Sequence, residues 1–148
     1  MHVSIEKTAP TKVADANLKP RGRVHNSPAQ WRDQVLYFLL PDRFSDGKES
    51  SRPKFDRSNP QQFKADKRGW MESGTTFQGG TIKGITSKLD YIKSLGATTL
   101  WVGPVWQQRP DMQTYHGYAI QNFLDVDLRF GTREDLRDMV EAAHNRGL

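Results

Sequence analysis

Cysteine is missing from this sequence of 148 residues, and long apolar runs are missing as well. Without cysteine there can be no disulfide bond and no thiolate metal site, which fits a reducing compartment. No segment approaches the roughly 18 consecutive apolar residues of a membrane span, and the start of the chain lacks the apolar core of a signal peptide. We therefore expect a cytoplasmic protein with no membrane partner.

Several catalytic and cofactor motifs are also absent. There is no HExxH, no CxxC, no EF-hand spacing and no supported Ser/His/Asp order, which argues against metalloprotease, redox and calcium-sensor functions. Gly79 and Gly84 have the spacing of a P-loop, but Ile85 occupies the position of the lysine that would reach the phosphates. We therefore predict no nucleotide and no other cofactor.

Positive charge is concentrated in the first half of the chain. The net charge is +5, with 14 Lys and Arg against 8 Asp and Glu in residues 1–69, and 8 against 9 in residues 70–148. The basic residues are scattered through polar segments such as KPRGR and KADKR, without the interleaved aromatics of a nucleic-acid-binding face. A solvated surface is the better interpretation, so we predict no nucleic-acid partner.

Two regions of the chain differ in composition. Residues 1–33 are polar, carry three prolines and show no sustained period, which is typical of a tail or linker. Residues 34–148 begin with the apolar run QVLYFLL, which predicts a buried strand over Gln34–Leu40. About 40 residues rich in Gly, Ser, Lys and Pro follow, and a connection of that length inside a domain is usually functional or disordered.

Two helices and a second strand are predicted after this connection. In the first helix, apolar residues recur at spacings of three and four, and Gly96 stands where a C-terminal cap is expected. A strand is predicted at Thr98–Val102, and the second helix begins after Thr132, whose hydroxyl suits an N-terminal cap. The stripes expected to be buried are Ile82, Ile85, Leu89, Ile92 and Leu95 in the first helix, and Leu136, Met139, Val140 and Ala143 in the second.

The order strand, helix, strand, helix predicts an α/β fold with a parallel sheet covered by helices. The helix-to-strand links are very short, whereas the strand-to-helix links run to tens of residues. In a (β/α)8 TIM barrel the strand-to-helix loops carry the active site. A doubly wound sheet would instead place a short glycine-rich turn after its first strand. We therefore predict the first two β/α units of a (β/α)8 TIM barrel, incomplete in this chain because such a barrel takes about 250 residues.

Aromatic residues and a histidine are concentrated in the stretch YHGYAIQNFLDVDLRFGT. His116 can donate and accept hydrogen bonds, and the rings of Tyr115 and Tyr118 are suited to stacking on sugars. Composition alone favours burial of these aromatics beneath the loop. Asp125 and Asp127 are closely spaced, but glycoside hydrolysis needs carboxylates about 5 to 10 Å apart on separate elements, so a turn or hydrogen-bonding role is expected.

Three segments together resemble the start of the catalytic domain of the alpha-amylase family, glycoside hydrolase family 13. They are LYFLLPDRFSDG, GGTIKGITSKLDYIKSLGATTLWVGPV and YHGYAIQNFLDVDLRFGTREDLRDMVEAAHNRGL, in the order and at the spacing of that family. The likeness covers residues 34–148 and leaves the tail unmatched. It implies a (β/α)8 barrel that acts on α-glucosidic linkages with retention, through an aspartate nucleophile and a glutamate acid/base.

The resemblance also implies the roles of individual residues. It places the three catalytic carboxylates on strands four, five and seven, beyond Leu148, so this chain is expected to contain no catalytic residue and to be inactive alone. It implies that His116 hydrogen-bonds the sugar beside the scissile bond and that Tyr118 stacks on it. The expected function is that of an N-terminal fragment of a retaining glycoside hydrolase or transglycosylase, with an α-glucan or oligosaccharide as substrate. A non-catalytic sugar-binding or interaction protein that keeps the barrel is the alternative.

Two features depart from the family pattern. Many members have an aspartate where this sequence has Asn122. Some members bind calcium near the segment DRFSDGKES, and Asp46 matches one ligand. However, Lys48 stands where an oxygen ligand is expected and Thr81 replaces a further aspartate. A cation would meet an ammonium group there, so we predict no calcium site and no other metal site.

Overall fold

A two-stranded parallel sheet packs against the helices on one of its faces, in a computed structural model that describes residues 8–20, 22–63 and 66–148. Strand β1, Leu36–Leu39, pairs with strand β2, Thr99–Val102, and Leu36 lies opposite Thr99 at the start of the register. Both predicted strands are therefore present, with the first one shorter than predicted. The fold is mixed α/β, and the carboxyl ends of β1 and β2 lie at the same edge of the sheet because the strands are parallel.

The first predicted helix is present but interrupted. It consists of α3, Ile82–Ser87, and α4, Leu89–Ser94, separated at Lys88, which has non-helical φ and ψ of −113° and 7°. Thr81 caps α3 by accepting a hydrogen bond from the Gly84 N–H at 3.0 Å. Gly96 follows α4 with a φ of +86°, a conformation that glycine adopts without strain.

The second predicted helix is α5, Arg133–His144. Thr132 and Asp135 form a reciprocal capping box, in which the Thr132 Oγ1 accepts from the Asp135 N–H and the Asp135 Oδ2 accepts from the Thr132 N–H. Met139 and Ala143 are buried as predicted, whereas Val140 is 40% exposed. The prediction that Val140 is buried is therefore wrong for this chain, in which Val140 lines a cleft beside α5.

The long connections contain regular structure of their own. The first connection, residues 40–81, includes the single-turn helix α1, Pro41–Phe44, and the helix α2, Lys67–Ser73. The second connection, residues 103–132, contains an antiparallel hairpin of β3, Trp106–Gln108, and β4, Ile120–Val126. This hairpin is not predicted from the sequence. In β4 exposed Gln121 and Phe123 alternate with less exposed neighbours, but the sequence IQNFLDV does not alternate apolar and polar residues and so gives no period of two.

The hydrophobic core lies between one face of the β1–β2 sheet and the helices. All residues of the predicted first stripe are fully buried except Leu95, which is 52% exposed at the end of α4. The other face of the sheet exposes Leu36, Phe38 and Trp101, each by half or more. The buried hydrophobic residues are Leu39, Ile82, Ile85, Leu89, Ile92, Ala97, Val105, Val126, Phe130, Met139 and Ala143.

The N-terminal region consists mostly of exposed chain without regular secondary structure. It includes two short 3-10 helices, Val13–Asp15 and Trp31–Asp33, and its first seven residues lie outside the described part of the chain. The ring of His25 stacks on that of His144, with centroids 4.0 Å apart. The division at residue 33 into tail and folded region stays a prediction. Within the described ranges, no helix is long and apolar enough to cross a membrane.

Candidate functional site

The first and second connections meet at the carboxyl edge of the β1–β2 sheet. The guanidinium carbon of Arg43 lies 3.8 Å from the ring centroid of Tyr115, and the Phe77 N–H donates to the Gln113 Oε1 at 3.4 Å. Arg43 and Phe77 belong to the first connection, and Tyr115 and Gln113 to the second. The predicted substrate residues His116 and Tyr118 therefore lie where two strand-to-helix connections converge.

Three neighbouring rings form a continuous group within the second connection. The Tyr115 ring meets the His116 ring edge to face, with centroids 5.4 Å apart. The His116 ring stacks on the Tyr118 ring, with centroids 5.8 Å apart and an interplanar angle of 28°. Tyr118 is 60% exposed, so its outer face is open to a ligand. The composition-based expectation that these rings are buried beneath the loop is therefore wrong for Tyr118.

The tautomer of His116 follows from one hydrogen bond. The Tyr118 N–H donates to the His116 Nδ1 at 3.1 Å, so Nδ1 acts as an acceptor and carries no proton. In a neutral imidazole the proton is then on Nε2, which can donate to a hydroxyl or another acceptor. The local backbone thus makes His116 a hydrogen-bond donor at its outer nitrogen.

Gly117 allows this loop to lie against the end of β2. Its φ is +84°, and an added Cβ would lie 2.1 Å from the backbone oxygen of Pro104. A side chain would therefore be strained by the backbone conformation and would overlap with a carbonyl group. The glycine in YHGY is needed for the position of the two residues that flank it.

Asp42 and Arg43, directly after β1, organise the first connection. The Asp42 side chain is buried and accepts hydrogen bonds from the N–H groups of Gln78 and Gly79, each at 2.9 Å. Arg43 donates to the carbonyl oxygens of Ser73 at 3.1 Å, Gly74 at 3.0 Å and Thr76 at 2.9 Å. Neither residue is predicted from the sequence to have a role. The available signal was an adjacent acid and base at the carboxyl end of the first predicted strand.

Asp127 and Arg129 organise the second connection. Asp127 is 4% exposed and accepts hydrogen bonds from the Gln108 N–H and from the Arg129 guanidinium, the latter at 2.7 Å. Burial opposes ionisation, but these hydrogen bonds outweigh it and hold the pKa of Asp127 below its usual range. Asp125 accepts instead from the Val126 N–H. The predicted hydrogen-bonding role of both aspartates is confirmed.

Both polar atoms of the Asn122 side-chain amide form hydrogen bonds. Its Nδ2 donates to the Gln107 Oε1 across the hairpin, and its Oδ1 accepts from the Leu124 N–H, both at 2.9 Å. An ionised aspartate at this position would keep the acceptor and lose the donor. The asparagine therefore donates to Gln107, whereas an aspartate would instead need the Gln107 amide to turn and donate from its Nε2.

The segment that would bind calcium in some family members does not fit a cation. The Asp46 carboxylate accepts from the Lys48 N–H and pairs with the Arg52 guanidinium, and Thr81 caps α3. In the described part of the chain, no group of three or more His, Asp or Glu side chains is arranged to hold a metal. The absence of calcium binding itself stays a prediction.

His144 lies in the last turn of α5, away from the ring group, and stacks on His25. Burial, followed by the neighbouring His25, lowers the pKa of His144, so the neutral form is favoured in this contact. The structure therefore gives His144 a packing partner and does not bring it to the candidate site.

The comparisons with known proteins all identify the same family. The model of the alpha-amylase catalytic domain matches residues 38–148. The periplasmic alpha-amylase of Escherichia coli is 36% identical over 134 residues, covering 83% of this chain and 18% of that protein. The beta/alpha-amylase of Paenibacillus polymyxa is 36% identical over 118 residues, covering 80% of this chain and 9% of that protein.

Solved structures agree with the sequence matches. The alpha-amylase of Geobacillus thermoleovorans, in a complex with acarbose, superposes with a TM-score of 0.60 at 34% identity, covering 82% of this chain and 22% of that chain. The alpha-amylase of Malbranchea cinnamomea gives a TM-score of 0.61 at 30% identity, covering 80% and 23%. The chain thus spans less than a quarter of these relatives. On these matches and this geometry, the chain belongs to the alpha-amylase family and corresponds to part of its catalytic domain.

Proposed function

We propose that the chain forms the first two β/α units of a (β/α)8 barrel. The support is that β1 and β2 are parallel and that each is followed by a helix after a long connection. The exposed face of the sheet is apolar, with Phe38 and Trp101 in edge-to-face contact at 5.3 Å. In a closed barrel this face points inward, where it is packed by the side chains of the other strands.

A cleft beside β2 fits the same proposal. It has a volume of about 660 Å³ and is lined by residues of β2, of α5 and of the segment around Trp31. Leu100, Val102 and Leu136 contribute apolar surface to it. A third strand and its helix would cover this cleft and pair with the free edge of β2.

We infer that the function of the whole protein is that of a retaining glycoside hydrolase or transglycosylase on α-glucosidic linkages of an α-glucan or oligosaccharide. The observation that carries this proposal is the ring group in the second connection, with an exposed Tyr118 beside a histidine whose outer nitrogen donates. Such a surface suits a sugar, because C–H faces stack on aromatic rings and hydroxyls accept hydrogen bonds. Solved relatives carry acarbose, maltose or maltotriose.

In this proposal His116 and Tyr118 bind the substrate and perform no proton transfer. The His116 Nε2–H donates to a sugar hydroxyl, while the Tyr118 ring stacks on the same sugar. The buried acids nearby, Asp42 and Asp127, are engaged by backbone N–H groups and arginines. The catalytic carboxylates are therefore proposed to lie outside these 148 residues, and the chain alone is proposed to be inactive. A cytoplasmic location stays a prediction.

The test uses the full-length protein with maltooligosaccharides. We expect turnover whose first product has the α configuration by proton NMR, and no turnover by residues 1–148 alone. Replacing His116 by Gln or Tyr118 by Ala is expected to lower kcat/KM by about 10-fold or more, as for lost contacts in a largely preformed site. The matched control is Phe123→Ala, because Phe123 is a similarly exposed aromatic on β4. Sugar binding without turnover by the full-length protein would favour the non-catalytic alternative.

A further inference from the structure

Arg43 is the residue that joins the first connection to the ring group. Its side chain is 27% exposed, and its Nε lies 3.2 Å from the Asp42 Oδ2. Its terminal nitrogens donate to the carbonyl oxygens of Ser73, Gly74 and Thr76. These contacts use the edge of the guanidinium, where all its N–H groups lie, and leave its flat faces free.

One flat face of Arg43 lies against Tyr115. The distance of 3.8 Å from the guanidinium carbon to the ring centroid is well inside the roughly 6 Å limit of a cation–π contact. Because the edge of the guanidinium is held by three carbonyl groups, its plane is fixed independently of the ring. Arg43 therefore gives Tyr115 a rigid surface to pack on, and the ring is not free to rotate towards solvent.

Tyr115 in turn contacts His116, which stacks on Tyr118. The orientation of the imidazole is thus limited on one side by the Tyr115 ring and at Nδ1 by the Tyr118 N–H. A tilt of Tyr115 would move the ring that His116 packs on, and so would redirect its Nε2–H.

We propose that Arg43 is a positioning residue that sets the orientation of His116 and Tyr118 through Tyr115. This inference rests on the proposed function, in which those two residues contact the sugar. Arg43 itself touches no substrate in this scheme. Its role requires both of its contacts: the carbonyl groups of residues 73–76, which fix the guanidinium, and the ring of Tyr115, which transmits its position.

A double-mutant cycle in the full-length protein separates this role from a merely structural one. Arg43→Met and Tyr115→Leu are each expected to lower kcat/KM for a maltooligosaccharide by about 10-fold, and the double variant by about the same factor, because contacting residues are non-additive. Tyr115→Phe keeps the ring and is expected to stay within about twofold of wild type. Thermal unfolding is measured in parallel, where Arg43→Met lowers Tm in either background because it also loses the hydrogen bonds to residues 73–76.

Arg68→Met is the matched control, since Arg68 lies on α2, is 89% exposed and pairs with Glu72. Its kcat/KM should equal that of wild type. If Arg43→Met does not fold, the cycle is repeated with Arg43→Lys, which keeps the charge over the ring but loses the planar set of donors. A smaller loss of kcat/KM with the same non-additivity is then expected.

Two results would overturn the inference. Additive losses, with the double variant about 100-fold below wild type, would show that Arg43 does not act through Tyr115. An unchanged kcat/KM for Arg43→Met would show that it does not act on the site. If His116→Gln leaves kcat/KM unchanged in the same assay, the proposed function fails as well. If His116→Gln lowers it while the cycle is additive, the positioning role alone fails.

Discussion

The first and second connections are held in the same way but act on different parts of the molecule. Each has a buried aspartate that accepts backbone N–H groups of its own connection, Asp42 in the first and Asp127 in the second. Each has an arginine that donates to carbonyl groups of its own connection and stacks on a ring of the other. The two connections are therefore joined by one arginine–ring contact in each direction, in addition to the hydrogen bond from the Phe77 N–H to the Gln113 Oε1.

The difference lies in the ring that each arginine reaches. Arg43 lies over Tyr115, which contacts the candidate substrate residue His116. Arg129 lies 4.5 Å from the centroid of Phe77, which packs against the fully buried Phe130. The same type of contact, an arginine over an aromatic ring, thus supports a neighbour of His116 in one case and a neighbour of the core residue Phe130 in the other. Similar local chemistry predicts different phenotypes, and the following experiments test that contrast in the full-length protein.

The largest effect is expected from removing a buried aspartate. Asp127→Ala leaves the Gln108 N–H and the Arg129 guanidinium without their acceptor, so the free energy of unfolding should fall by about 3 kcal/mol, as for other broken buried pairs. Urea denaturation measures this. Asp125→Ala is the control, because its carboxylate accepts from a neighbouring N–H in a less buried position and should cost under about 1 kcal/mol. Equal losses in both variants would contradict the assignment of Asp127 as the anchor.

The next largest effect is expected from replacing a glycine, and one glycine of each connection is compared. Gly117→Ala combines a positive φ with an overlap on Pro104, and should cost about 2 to 3 kcal/mol and lower kcat/KM strongly. Gly79→Ala also has a positive φ, of +92°, but no atom within 4 Å of the added Cβ, so about 1 kcal/mol and little loss of activity are expected. Thermal unfolding and steady-state kinetics measure the pair. A larger activity loss in Gly79→Ala would reverse the comparison.

A smaller effect separates the two arginines. Arg129→Met loses hydrogen bonds to Asp127 and to the carbonyl oxygens of Arg109 and Met112, and should lower the free energy of unfolding by about 2 kcal/mol. Arg129 contacts the ring of Phe77, which packs against the core and not against His116. The kcat/KM of Arg129→Met should therefore fall less than that of Arg43→Met. The measurement is kcat/KM set against Tm for both variants. If both variants lose kcat/KM in the same proportion to their loss of Tm, the activity loss is explained by stability alone. The two connections then do not differ in function.

The smallest effect is a dependence of stability on pH. The pKa of Asp127 is lowered in the folded state, so the unfolded chain takes up the proton first as pH falls. Its stabilisation is complete above the ordinary aspartate value, near pH 4, and is lost as pH falls from there through the lower folded value. Asp127→Asn should therefore show a shallower loss of unfolding free energy below about pH 4. If Asp127→Asn loses unfolding free energy below about pH 4 as steeply as wild type, other carboxyl groups account for the loss of stability in acid.

The elements that could be predicted are those with a local signal. The spacing of Ile82, Ile85, Leu89 and Ile92 predicts a buried helical face, and all four are fully buried. The run around Tyr37 and the run around Leu100 predict strands because β-forming apolar residues are bounded by Pro and Gly. The interruption at Lys88 and the exposure of Leu95 and Val140 could not be predicted, since they depend on what each side chain meets in three dimensions.

The candidate site was only partly accessible from sequence. His116 and Tyr118 could be selected because a loop with closely spaced rings, an imidazole and a glycine is unusual, and because the segment resembles a known family. Their role in substrate binding stays a prediction. The contributions of Asp42, Arg43 and Arg129 could not be predicted, because each depends on contacts with residues 17 to 72 positions away along the chain.

By itself, the sequence determined the family, the order of the strands and helices, the capping of α5 at Thr132, and the type of residues in the loop after β2. These properties depend on neighbours a few positions apart, where spacing and side-chain chemistry act directly. Only the tertiary structure decided which ring each arginine covers, Tyr115 for Arg43 and Phe77 for Arg129. Those outcomes depend on distances between segments far apart in the chain, which are fixed only when the parallel pairing of β1 and β2 brings the two connections to one edge.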